Sequence, residues 1–232
     1  MDDWIDYYDS AHTIYVNARH RDVHFRVIAE DIAGYVASPG WSVLDYGCGE
    51  ALSAGLVAAK AARLTLVEPA PGVRARIAAR FASDPSIEVV SPDDLGQRPD
   101  GAFDLVVMHS VAQYLTPQEL DQTLALLRRL LKPSGLFVLG DVLQPHTSAL
   151  TDALALLRFG ITHGFLLGAA AGLLRTFFSS YWRLRSSLGL TRYSDHAMTE
   201  KLAAAGFAAR RAARNIGHNQ ARMSFLATPP LY

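Results

Sequence analysis

Cysteine is almost missing from this chain: Cys48 is the only one in 232 residues. That excludes an intramolecular disulfide framework and suits a reducing compartment. Neither sign of charge is in excess, with 22 basic against 22 acidic residues, so no bulk attraction to nucleic acid is expected. The uncharged run 159–174 has 16 residues, short of the roughly 20 that cross a bilayer. The acidic start Met1-Asp2-Asp3-Trp4 lacks a basic region followed by an apolar one, so it is not read as a signal peptide. Internal repeats and low-complexity tracts are absent too. These absences leave a globular chain expected in the cytoplasm, with the membrane surface as the alternative address.

The most informative segment present is Val43-Leu44-Asp45-Tyr46-Gly47-Cys48-Gly49-Glu50. A short apolar run reaches an acid, then a Gly-x-Gly turn, then an Ala/Leu-rich stretch of helical character. This predicts a buried strand ending in a tight turn at a helix N-terminus, where glycines let backbone N–H groups approach a ligand. A dinucleotide site would want a third glycine three residues after the second, and Leu52 stands there. Glu68 follows Gly47 by 21 residues, at the end of a second apolar run. A carboxylate there accepts hydrogen bonds from both ribose hydroxyls of an adenosine ligand. A nucleoside without a pyrophosphate fits this layout best.

Alternation of apolar runs and helical patterns predicts βαβ units and a parallel sheet. Strands are expected near 42–46, 63–67, 87–90, 103–108, 135–140 and 222–228, with a return strand starting at Phe207. Helices are expected over 22–37, 50–60, 71–82 and 117–131, the last capped by Thr116, and a later one capped by Ser194 or Asp195 and ended by Gly206.

With the glycine turn, Glu68, the run Ala102-Phe103-Asp104-Leu105-Val106-Val107-Met108-His109 and the turn Leu131-Lys132-Pro133-Ser134-Gly135, the chain resembles the class I S-adenosylmethionine-dependent methyltransferases. Within them it is similar to the ubiquinone/menaquinone-biosynthesis group. The resemblance spans about 40–145, with a further match over 194–228. It implies an α/β, Rossmann-like, seven-stranded, mostly parallel sheet with an antiparallel last hairpin, plus a helical lid and cap. One domain would cover 1–232: an N-terminal lid (1–21), a cofactor-binding core (22–145), a helical cap insertion (146–193) and a C-terminal helix and hairpin (194–232). The implied cofactor is S-adenosyl-L-methionine. The expected acceptor is a small molecule, apolar or lipid-like. Protein or RNA methylation, and a non-catalytic cofactor-binding subunit, are the alternatives.

Candidate cofactor residues are Gly47, Cys48, Gly49, Glu68 and the adjoining Pro69. Cys48 is read as a compact residue offering its backbone. A carboxylate at a buried strand end must be paired, so Asp45 should accept from backbone N–H groups or from the cofactor's amino group. The family's acid after the third strand aligns with Ser91 here, a departure that leaves Asp93 as the adenine candidate. Tyr15 and Arg19 are lid candidates, Arg19 either pairing with the cofactor carboxylate or standing in solvent. His109, at the carboxyl edge of the fourth strand, either packs against the cofactor's methionine part or acts as general base. His20 is the second catalytic candidate. His20 and His24 lie one helical turn apart, yet no HExxH pattern or third ligand accompanies them, so no metal is expected.

The insertion carries Gly164, Gly168 and Gly172 at four-residue spacing, a smooth stripe if helical. Arginines and aromatics follow it, with Tyr181, Trp182, Arg183 and Arg185. Two helices are expected, the first capped by Thr147 or Ser148 and ending at Gly160, the second presenting the stripe to a neighbouring helix. Membrane-surface contact or a homodimer through 159–185 are the partner readings, and nucleic acid is not expected.

Overall fold

The structure is a computed structural model describing residues 2–9, 15–177 and 189–230. Seven strands form one sheet: β1 (Ser42–Tyr46), β2 (Arg63–Val67), β3 (Ile87–Val90), β4 (Phe103–His109), β5 (Leu131–Val142), β6 (Ala208–Arg211) and β7 (Met223–Thr228). Their spatial order is β3-β2-β1-β4-β5-β7-β6. The first five are parallel, and β7 runs antiparallel to both β5 and β6. The expected fold class is what forms. The sheet order reverses between β1 and β4, which puts a crevice at the carboxyl ends of those strands, where open α/β sheets bind ligands.

Central strands buried on both faces read as continuous apolar runs. Val43, Leu44, Leu105, Val106, Phe137 and Val138 have no exposed surface, each contributing roughly 1.5–3 kcal/mol by burial. Flanking helices are α1 (Asp2–Asp9), α2 (Ala18–Ala33), α3 (Gly55–Ala58), α4 (Pro71–Phe81), α5 (Pro92–Gly96) and α6 (Pro117–Leu130). The cap and C-terminal helices are α7 (Ala149–His163), α8 (Leu166–Phe177) and α9 (Asp195–Ala204). Sequence signals locate many of their ends. Thr116 and Glu119 form a capping box on α6, Ser194 caps α9, Ser148 caps α7, and Pro71 opens α4.

Several boundaries depart from the sequence reading, β5 among them, which runs over Leu131–Val142 where 135–140 was expected. Helix α2 starts at Ala18 rather than 22, because the Asn17 side chain accepts the His20 N–H at 2.8 Å and caps it there. It stops at Ala33, short of 37. The helix expected over 50–60 shrinks to the four residues of α3, since Gly49 (φ 57°) and Ala51 (φ 45°) keep the chain turning beyond the glycines. Helix α7 runs past Gly160 to His163 and ends in left-handed Gly164 (φ 72°). Gly160 serves close packing instead: a Cβ there would lie 3.1 Å from the Ala169 Cβ of α8.

The glycine stripe is therefore split. Gly164 terminates α7, while Gly168 and Gly172 lie on α8 and meet Asn17 and Val16, the segment that leads into α2. Its neighbour is the chain's own N-terminal segment rather than another helix. Val23, Phe159, Phe165 and Ala169 form a satellite core between α2 and the cap. Residues 181–185, with their aromatics and arginines, lie outside the described residues.

Candidate functional site

At the carboxyl ends of β1, β2, β4 and β5 lies a cavity of about 300 Å³, roofed by Trp4 of α1 and by His24 and Phe25 of α2. Its floor is the glycine turn. Gly47 (φ 73°) and Gly49 (φ 57°) adopt the left-handed conformation that side chains disfavour. The turn is tied to β2, with the Gly47 and Cys48 N–H groups both donating to the Val67 carbonyl, at 2.8 and 3.1 Å. The Val111 side chain packs onto the Cα of Gly47, leaving no room there for a Cβ.

Glu68 stands across this turn. Its two carboxylate oxygens accept the Gly49 and Ala70 N–H groups, each at 2.9 Å. Burial raises its pKa, partly offset by those two bonds. Among the described residues no backbone N–H, one of the two partners expected for it, pairs Asp45. It faces the cavity, and burial first, then the nearby Glu68, pushes its pKa up to about 7, with no hydrogen bond to offset either effect. A buried carboxylate left in that state is matched by a ligand that brings donors or positive charge.

Of the other sequence candidates, Tyr15, Cys48, Pro69 and His109 line the cavity. The Cys48 thiol is held protonated, its pKa raised well above 9.0 by burial and by Asp45 and Glu68, which suits a packing role and not a nucleophile. Three candidates fall elsewhere. Arg19 points away from the cavity, its Nε donating to the His163 carbonyl at the end of α7 (2.7 Å). This helix-terminus contact replaces the expected pairing with a cofactor carboxylate. His20 is buried behind the cavity wall, and its Nδ1 accepts the Val16 N–H at 3.3 Å. Asp93 is exposed on α5, whose N-terminus is capped by Ser91 and Asp94. Among the described side chains, none of α7 or α8 reaches the cavity lining, and the cap insertion contributes Leu190 to it.

The cavity also has a polar end that the sequence reading passed over. Ser110 (φ 58°) and Asp141 (φ 62°) end the adjacent strands β4 and β5 in left-handed conformations, and such strain clusters at functional sites. The Ser110 hydroxyl donates to the Asp141 carboxylate at 2.6 Å. Arg222, one residue before β7, lies 3.5 Å from Asp141 and bonds Asp152 of α7 at 3.0 Å. Beside them sits an imidazole cluster: His24 lies 6.0 Å from His20 and 5.9 Å from His218, ring centre to ring centre. Burial is the first cause lowering the pKa of all three, and of His109, with that of His218 brought to about 4. Among the described residues, no three His, Cys, Asp or Glu side chains are arranged to hold a metal. The spacing of His20 and His24 was a sequence signal for this cluster; His218 and Arg222 gave none.

Comparison with known proteins adds to this geometry. Residues 44–139 match the family described as methyltransferase domain, a stretch that runs from within β1 to within β5 and includes the glycine turn and Glu68. A comparison with curated proteins gives no match. Among solved structures, the DhpI complex with S-adenosylhomocysteine superposes with a TM-score of 0.63 at 15% identity, covering 100% of this chain and 97% of that one. Human N-acetylserotonin methyltransferase with bound S-adenosylmethionine gives 0.57 at 15%, covering 90% and 52%. The YcgJ protein of Bacillus subtilis gives 0.57 at 16%, covering 81% and 70%. At these identities the superpositions establish a shared fold.

Proposed function

We propose that this chain, an enzyme carrying a class I S-adenosylmethionine-dependent methyltransferase domain, methylates a small acceptor that is apolar or lipid-like. The observation that carries the reading is the pairing of the glycine turn with two cavity-facing carboxylates. Gly47–Gly49 offers backbone close enough for a ligand to lie on it, Glu68 is placed to accept from ribose hydroxyls, and Asp45 lacks the donor that an amino group would bring. The bound cofactor supplies an activated methyl group. What remains for the protein is to align the acceptor and exclude water. Trp4, Tyr15 and Phe25 do the latter, with Trp4 buried and its ring tilted against that of Tyr114 at 4.5 Å. In this reading the N-terminal segment is the lid, acting through Trp4 and Tyr15, and 146–193 is a cap whose helices α7 and α8 brace α2 while Leu190 joins the cavity wall.

Isothermal titration should show micromolar binding of S-adenosylmethionine and of its demethylated product, and Glu68→Ala should weaken both at least tenfold, the loss of about 1.4 kcal/mol that hydrogen bonds to a charged group supply. Binding of neither compound removes this reading. Methylation of a protein or RNA mixture without any small-molecule turnover favours the macromolecular alternative, and binding without turnover favours a cofactor-binding subunit.

The cap supports a peripheral membrane address. No helix among the described residues is long and apolar enough to cross a membrane. Yet Leu150, Leu154 and Ile161 of α7 and Leu166 and Leu167 of α8 are exposed, Leu167 by 87%. The insertion 146–193 has five arginines and one aspartate, and that aspartate is committed to Arg222. An apolar face with surplus cations matches an anionic bilayer surface. Flotation with vesicles containing phosphatidylglycerol should carry the protein, and Leu154→Glu with Leu167→Glu should abolish it. No flotation, or a dimer by light scattering that the same changes dissociate, points to the homodimer instead.

A further inference from the structure

Among the described residues, seven buried side-chain nitrogen and oxygen atoms have no hydrogen-bond partner, and four of them belong to residues lining this one cavity: His24 Nδ1, Gln113 Oε1, Arg222 Nε and, covered by Gly140, His109 Nδ1. A buried polar atom left unpaired is expensive. Such atoms gathered around one space indicate a ligand that brings a polar group to them. The charges there narrow its class. Arg222 is occupied by Asp141 and Asp152, and Asp141 also accepts from Ser110. That end of the cavity has neither a spare cation for a carboxylate nor a spare carboxylate for an ammonium group. What it offers is neutral imidazole and amide, and the matching partner is a neutral hydroxyl, which donates and accepts at once.

The histidines differ in what holds them. His20 has its Nδ1 engaged by Val16 and does not line the cavity. His109 follows Met108, which pairs with Tyr46 beside the glycine turn, and its Nδ1 presses on Gly140, where a Cβ would lie only 2.7 Å away. That places His109 on the cofactor side with one nitrogen covered. His24 comes from α2 in the roof. Its ring is fixed by Tyr15 at 5.6 Å, Phe25 at 5.5 Å and His218 at 5.9 Å, and no protein group engages its Nδ1.

We propose that His24 is the catalytic residue that takes the proton from the acceptor, and that the acceptor is a neutral phenol or alcohol methylated on oxygen. The proposal rests on the methyl-transfer reading above. As the acceptor oxygen bonds the methyl carbon, the carbon–sulfur bond breaks with its electron pair left on sulfur, and the hydroxyl proton passes to the imidazole. One positive charge thus moves from sulfonium to imidazolium, and the imidazolium returns its proton to water once the product leaves. Burial, reinforced by His218, His109 and His20, keeps His24 neutral at pH 7 and ready to shed that proton. The titratable and charged groups around it are His20 and Tyr15 on its N-terminal side, His109 from β4 and His218 from the final hairpin, with Asp141, Arg222 and Asp152 beyond them.

The test uses full-length protein saturated with the demethylated cofactor and three probes of one ring system: β-naphthol, naphthylmethylammonium and naphthoate. β-Naphthol should bind at least about tenfold tighter than the other two and be the one methylated when the methyl donor is supplied. His24→Ala should lower its kcat about hundredfold, the usual size of a lost general base, with cofactor affinity and melting temperature close to wild type. Added imidazole should restore turnover, and the acidic limb of the rate profile should then follow the titration of imidazole. His24→Gln, which keeps a polar side chain of similar reach, should show the same loss and guards against a folding defect in the alanine variant. Preference for the ammonium or carboxylate probe, binding of no probe, full activity of either variant, or failure of imidazole rescue overturns the proposal. Failure to bind the cofactor at all overturns the methyl-transfer reading instead, which separates the two.

Discussion

Replacing Gly168 by leucine tests how the cap is fastened to the core. Gly168 lies on α8 against Asn17, and a Cβ added there would overlap the Asn17 side-chain amide and come within 3.4 Å of its Cγ. Asn17 cannot swing aside without cost, because its Oδ1 accepts the His20 N–H and caps α2. Two terms therefore add. Overpacking a tight contact costs about 1–3 kcal/mol, and losing an asparagine N-cap costs about 1 kcal/mol. The sum of about 2–4 kcal/mol corresponds to a fall in melting temperature of roughly 4–16 °C for a chain of this size.

Thermal and urea unfolding of Gly168→Leu, Asn17→Ala and the double variant separate these terms. Asn17→Ala alone should cost about 1 kcal/mol. In its background the leucine should cost less than in the wild type, since the colliding amide is gone and the cap is already lost. Residues in contact show such coupling, whereas independent sites add. Cofactor affinity should hold in all three, because neither residue lines the cavity. A melting temperature unchanged in Gly168→Leu, or strict additivity in the double variant, refutes the packing argument.

Other outcomes follow from the site. Gly47→Val should abolish cofactor binding in a titration, because φ 73° disfavours any side chain and Val111 fills the space a Cβ needs. Native Cys48 should resist iodoacetamide at pH 8 and react only after unfolding, since its pKa is raised well above 9.0; rapid labelling of the folded protein contradicts that burial. Asp45 titrates near pH 7 in the folded protein against 3.8 for the ordinary carboxylate. A raised folded pKa means the native state holds a proton that the unfolded chain releases, so Asp45's contribution to stability is full below pH 4 and is lost as pH rises towards 7. Binding of the cationic cofactor should strengthen over that same rise as Asp45 ionises. Asp45→Asn should flatten both dependences, and an unaltered pH profile of affinity in that variant shows that Asp45 does not face the ligand's positive charge.

The strands, the glycine turn and Glu68 were legible because each rests on neighbouring residues: an apolar run, a tight turn, an acid at the next strand end. The sheet order follows from the same regularity, since right-handed crossovers between parallel strands leave few topologies. What stayed hidden depends on residues that meet only in space. Arg19 looked like a cofactor ligand, and the end of α7 that receives it lies 144 positions away. The glycine stripe suggested a helix partner, whereas the surface that fits it is the bend at Val16 and Asn17 that leads into α2, with nothing in its own sequence to announce it. Asp141 and Ser110 gave no signal because positive φ at non-glycine residues is imposed by packing and hydrogen bonding around them, not by their own preferences. Arg222 reaches the cavity, and His218 reaches His24 behind its wall, because β7 returns antiparallel beside β5, which carries the loop ahead of it back to the carboxyl edge. The half of the cavity nearest the glycine turn is therefore written in local motifs, and the polar half is assembled from α2, the end of β5 and the last hairpin. The polar half can then be rebuilt while the motifs stay fixed, which is why a motif set that marks a methyltransferase domain says so little about what is methylated.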